Sequence, residues 1–281
     1  MSLSPSPLPP ASRARTLTIL VADDSRIDRR IASSILEGRG HRVVAAVDGT
    51  EALEIFGENE RSGVPFDVAV IDYQMPGLGG EELALALRAA AKTEGRRPLR
   101  VVLLSGAARD RSLAEWQGID AALPKPLDPS ALVAAIEGDA APEAAANRAS
   151  APAVEGHVPA AAHDLDRVVF DLGEALARAR GKRALLIELV KIFMEDSENY
   201  LDVLRQSVEA GNLEQVEKAA HRLKGSSANV SAQRAADAAE RIEKTLRTSH
   251  ALPEEAFFLT LEEEMGKARK ALAGFLAQNG S

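Results

Sequence analysis

The chain has 281 residues, 46% of them apolar and 27% charged, enough for a sizeable buried core and, by length, for about two domains. A net charge of −8 and a pI near 5.3 argue against a nucleic-acid surface, which needs a basic patch. The absence of cysteine excludes disulfides and thiolate metal sites, and no run of about 18 apolar residues offers a membrane span.

The first 16 residues, rich in Pro and Ser, lack the apolar core of a secretory leader and read as a disordered tail. A cytoplasmic location is expected. From 17 to 137, short apolar runs alternate with amphipathic ones. "TLTILVA", "RVVAAV", "FDVAVID", "RVVLLS" and "IDAAL" are rich in Val, Ile and Leu, as strands buried on both faces should be. "RIDRRIASSILEGRG" and "EELALALRAAAK" read as helices, the first stopped by Gly38 and Gly40. Five β-α units in succession imply a parallel sheet covered by helices on both sides.

Chemistry gathers at one edge of that sheet. Asp23 and Asp24 follow the first strand, Asp72 ends the third, Ser105 ends the fourth, and Lys125 follows the fifth. Ligands of open parallel sheets bind outside the carboxyl ends of the strands, where all five would fall. Clustered carboxylates either take up protons or hold a cation, and hard oxygen donors suit Mg²⁺. Asp72 could then attack a phosphoryl group in line, with Lys125 and the Ser105 hydroxyl on its oxygens. Taken singly, each acid is as well explained as a loop carboxylate, and Asp24 or Ser25 as a helix cap. The five together at matched strand ends are not.

"ILVADDS", "VIDYQMPGLGG", "VVLLS" and "LPKP" closely resemble the receiver domain of two-component response regulators over residues 17 to 137. The resemblance implies a flavodoxin-like fold of strand order 2-1-3-4-5, with Asp72 as phosphoacceptor. It also implies Mg²⁺ held by Asp24 and Asp72, by Asp23 through water, and by the backbone carbonyl of Gln74. One position departs from the family: Ala122 stands where an aromatic switch residue is common, so readout through ring burial is not expected.

Residues 138 to 163 are dominated by Ala, Pro and small polar residues and read as a linker. Its random-coil span of roughly 25 to 30 Å permits transfer within one chain. From about 165 the pattern is helical, and several antiparallel helices with short connections make a bundle. Within "LEQVEKAAHRLKGSSANV", Leu213, Val216, Ala220, Leu223, Ser227 and Val230 form one stripe at about 100° per residue. His221 is expected to point away from it, flanked by Lys224 and Gly225 on an exposed face. An imidazole there is a competent nucleophile near neutral pH. Lys224 could stabilise phosphoryl oxygens. Gly225, unfavourable in a helix by about 1 kcal/mol, would leave room for another domain's active site.

"AHRLKGSSAN" resembles the histidine-containing phosphotransfer (HPt) domain, with similarity running over about 168 to 276 and a domain expected from 164 to 281. The resemblance implies that His221 carries the phosphoryl group. Ser231 stands where the family has glycine, so the helix is expected to end differently. His41, His157, His163 and His250 have no such company, and Trp116, Asn199 and Tyr200 read as packing or surface.

An aspartate and a histidine acceptor on one chain imply a phosphorelay from sensor kinase to Asp72 to His221 to a downstream response regulator. Two other readings stay open: a sink draining a regulator through His221, and a docking module tuned by Asp72. No P-loop or kinase ATP module is seen, so a phosphoryl donor is needed. No DNA-binding helix-turn-helix follows the first domain.

Overall fold

The computed structural model describes residues 15–91, 97–106, 113–137 and 169–279. Most of the expected tail and the whole expected linker, with His157 and His163, lie outside the described residues.

In chain order, β1 (Thr18–Ala22), α1 (Arg26–Glu37), β2 (Arg42–Ala46), α2 (Gly49–Ser62), β3 (Val68–Asp72), α3 (Gly80–Ala90), β4 (Arg100–Ser105), β5 (Ala121–Pro124) and α4 (Pro129–Glu137) build an α/β domain. The sheet is wholly parallel, in the order β2-β1-β3-β4-β5. Side chains alternate between its faces. Ile19, Val21, Val68, Val70, Val102 and Leu104 pack under α1 and α4, while Leu20, Ala22, Ala69, Ile71, Val101 and Leu103 pack under α2 and α3.

Two expectations need adjustment. β2 is the edge strand and four of its five residues keep some exposure, so it is not buried on both faces. Among the described residues between β4 and β5, a 3₁₀ turn at Leu113–Glu115 stands in place of a helix, residues 107–112 lying outside the described set. Trp116 and Ile119 fill the core there, and Trp116 meets Tyr73 edge-on at 5.0 Å.

The second domain holds α5 (Leu172–Arg178), α6 (Arg183–Glu209), α7 (Leu213–Asn229), α8 (Gln233–Ser249) and α9 (Glu255–Asn279). The last four form an antiparallel bundle whose stripes of Leu, Val, Ile and Ala meet at the centre. Val216, Ala220, Leu223, Ser227 and Val230 are buried as the periodicity requires, and Leu213 is partly so. The apolar cluster under α1 and α4 continues into this bundle, where α1 rests against α6 and α7.

α7 ends on Ser231 with φ +56°, the left-handed conformation that glycine adopts easily. Ser231 N–H donates to the Ala228 carbonyl and Ala232 N–H to that of Ser227, as in a glycine-terminated helix. The helix therefore ends as a glycine would end it, contrary to the expectation, with Ser231 buried and its carbonyl accepting from Asp171 N–H at 3.2 Å.

Candidate functional site

The carboxyl ends of the strands bring the expected acids together. Asp23, Asp24 and Asp72 each offer an oxygen within 4.8 Å of the others, and Asp23 and Asp72 are buried. The Lys125 ammonium, just past β5, lies 2.9 Å from both Asp23 Oδ2 and Asp72 Oδ1 and 3.6 Å from Asp28 Oδ2. Burial raises the Asp23 carboxyl well above its ordinary range, more than Lys125 lowers it, and raises that of Asp72 for the same reason. Burial pulls the Lys125 ammonium down, but attraction to Asp23, Asp28 and Asp72 outweighs it and holds it well above its usual value. Lys125 stands against Asp23, Asp28 and Asp72 with Asp24 beside them, a largely buried cluster of hard oxygen donors. That donor set fits a divalent cation such as Mg²⁺.

The scaffold explains the convergence. Ser25, rather than Asp24, caps α1, its hydroxyl accepting from Asp28 N–H at 3.3 Å. Gly80 lets α3 start against the end of β3, since a Cβ there would lie 2.4 Å from the Asp72 carbonyl oxygen. Ser105 is buried at the end of β4, its carbonyl accepting from Lys125 N–H. Gln74 lines a cavity together with Asp24 and His221.

On α7, His221 is half-buried rather than fully exposed. Its Nδ1 lies 3.0 Å from Oε1 of Glu243, a carboxylate on α8 whose side chain is 2% exposed. Lys224 Nζ donates to Glu243 Oε2, and Arg247 Nη2 to Oε1 at 2.5 Å. Burial favours the neutral Glu243 acid, but the bonds from His221 and Lys224 prevail and hold it at about 2. Glu243 is thus a carboxylate at neutral pH and only accepts, so the neutral imidazole keeps its proton on Nδ1 and a lone pair on Nε2. Lys224, expected to face phosphoryl oxygens, is tied to Glu243. A Cβ at Gly225 would meet nothing within 4 Å.

Asp72, Lys125, His221, Lys224 and Gly225 line one cavity of about 300 Å³ between the two domains. The seam beside it is charged. Arg26 pairs with Asp196 at 2.8 Å, Arg30 with Glu188 at 2.7 Å, and Arg222 with Asp24 at 2.6 Å. Asn229 Nδ2 donates to Asp28 Oδ1 at 2.7 Å.

Glu243 and Asp28 were not foreseen from the sequence. A trace of Glu243 exists: with Ala236, Ala239 and Leu246 it occupies the inward stripe of α8, where a charge is out of place. Asp28 lies in the first turn of α1, four residues after Asp24.

Residues 19–137 match the sequence model of the response regulator receiver domain, and residues 188–271 that of the Hpt domain. The virulence sensor protein BvgS of Bordetella bronchiseptica is 31% identical over 251 residues, 84% of this chain and 19% of that protein. The sensory/regulatory protein RpfC of Xanthomonas campestris pv. campestris is 26% identical over 222 residues, 78% of this chain and 29% of that protein. The chain thus spans less than a third of the length of either relative. A response regulator receiver domain protein from Clostridium thermocellum, 30% identical, covers 47% of this chain and 96% of its own, with a TM-score of 0.36. No helix among the described residues is long and apolar enough to cross a membrane. Residues 19–137 are a receiver domain and residues 188–271 an Hpt domain, joined on one chain.

Proposed function

We propose that the protein is a phosphorelay component in which Asp72 takes a phosphoryl group from a sensor histidine kinase and exchanges it with His221. His221 then delivers it to the aspartate of a downstream response regulator. The observation that carries this reading is the shared cavity, which has Asp72 on one wall and His221 on the other. The domain limits in this reading are 17–137 and 164–281, with 138–163 as the connection and 1–16 as a tail. The reading places the chain in the cytoplasm, where an ATP-charged kinase can reach Asp72.

An Asp72 oxygen attacks phosphorus, and the bond to the kinase imidazole breaks. Lys125, already beside Asp72, balances charge on the phosphoryl oxygens, and the Ser105 hydroxyl bonds one of them. Asp23, Asp24, Asp72 and the Gln74 carbonyl would hold Mg²⁺, which when bound neutralises phosphoryl oxygens. In the second step the Nε2 lone pair of His221 attacks phosphorus, and the bonding pair returns to the Asp72 carboxylate. The ring gains positive charge as it does so. Glu243, on Nδ1, stabilises that charge and fixes which nitrogen reacts. Lys224 keeps Glu243 ionised and so acts on His221 through it.

Labelling Asp72 with radioactive acetyl phosphate tests the sequence of steps. Acid-labile, base-stable label should appear on His221, with a rate independent of protein concentration if both acceptors serve one chain. His221→Gln should hold the label as base-labile acyl phosphate, and Asp72→Asn should take up none. Label that never leaves Asp72 in the wild-type chain removes the relay reading and leaves the docking module.

A further inference from the structure

Lys125 serves Asp23, Asp28 and Asp72, but the cation in contact with Asp24 comes from the other domain. Arg222 reaches across from α7, and both its Nε and Nη2 donate to Asp24 Oδ2, at 3.1 and 2.6 Å. The Asp24 side chain is 14% exposed, close to Asp196 on Arg26 and well below Glu188 on Arg30, and the Arg222 side chain is less exposed than that of Arg26. The guanidinium is also held within its own domain: Arg222 Cζ lies 5.6 Å from the centre of the Tyr200 ring, a cation–π distance. It can leave Asp24 without leaving the bundle.

We propose that Arg222 is a stand-in for the divalent cation, clamping the two domains through Asp24 when the acidic site is empty of metal. Metal and guanidinium then compete for one carboxylate, so loading the site loosens the seam. This inference rests on the reading of Asp23, Asp24 and Asp72 as a divalent-cation site. Two elementary arguments support it. The acids outnumber the one ammonium beside them, which protonation or a second cation relieves, and Arg222 is the cation seated on Asp24. Coupling is also reciprocal: a metal that weakens docking must bind the docked chain more weakly by the same factor. The Tyr200 ring already supports the guanidinium from within its own domain, and that contact does not need Asp24.

The chain has no cysteine, so two introduced ones give unique label positions. Glu54→Cys on α2 and Lys270→Cys on α9 are both at exposed positions. With spin labels there, pulsed EPR on the full chain in EDTA should give one narrow distance distribution, and saturating Mg²⁺ should broaden it. Arg222→Gln should be broad already in EDTA and indifferent to Mg²⁺. By calorimetry, Arg222→Gln should bind Mg²⁺ at least about fivefold more tightly than the wild type. Equal affinities, or wild-type distances that ignore Mg²⁺, overturn the clamp and leave the metal site standing. No Mg²⁺ binding to either protein, with Asp24→Asn behaving the same, overturns both.

Discussion

Glu243 accepts from two cationic side chains, Lys224 and Arg247, and decides the chemistry of a histidine on a different helix. Glu243→Gln removes the charge that balances the reacting imidazolium and frees the ring to hold its proton on either nitrogen. Transfer from Asp72 should slow by at least about tenfold, and the imidazole nitrogen resonances should report a mixed tautomer. The same residue sets an acid limit. Its folded value of about 2 lies below the ordinary 4.5, so its contribution is complete above about pH 4.5 and is lost as pH falls towards 2. At full size that contribution is about 3 kcal/mol. Urea titrations between pH 2 and 6 should show this loss in the wild type and a flatter profile in Glu243→Gln. Asp23, Asp24, Asp72, Ser105 and Lys125 were legible in the sequence because strand ends of a parallel sheet converge on one edge. Glu243 was not, because its meeting with His221 is made by the packing of α8 on α7, which one helix's periodicity does not contain.

At the scale of the element, α7 shows how a local preference yields to its surroundings. The buried stripe was readable from spacing, and the structure buries it. The end of the helix was not readable, because serine is a poor left-handed residue and yet Ser231 takes that conformation. Its hydroxyl is buried with no hydrogen-bond partner among the described residues. Ser231→Gly relieves both the backbone strain and the unsatisfied hydroxyl, offset in part by the greater freedom of glycine in the unfolded chain. A gain of about 1 kcal/mol in chemical denaturation is expected, with transfer chemistry unchanged. The 3₁₀ turn before β5 was equally unreadable as such. Trp116 and Ile119 enter the core from it, and burial of large side chains signals packing without specifying which kind of turn delivers them.

For the whole molecule, the contact between domains joins an apolar patch on α1 to a rim of ion pairs. Exposed pairs of this kind contribute about 0 to 1 kcal/mol each and are screened by salt. Small-angle scattering should therefore find a compact particle at low ionic strength and a more extended one at about 0.5 M salt, with a Debye length of only a few Å. Arg30→Glu should open the chain at low salt, and adding Glu188→Arg should close it again. Division into two units followed from the change in composition near residue 138, but their mutual placement did not. It depends on Arg and Glu positions that look like ordinary solvated faces until the faces meet.

One imidazole, walled on its open side by the chain's own acceptor, can face only one visitor at a time. In the proposed relay a second receiver domain needs the same face of α7 that the chain's own receiver domain lines, so loading and delivery would be separate in time. Between them the PO₃ unit would wait on nitrogen, and in that reading the lifetime of the phosphohistidine becomes the clock of the relay.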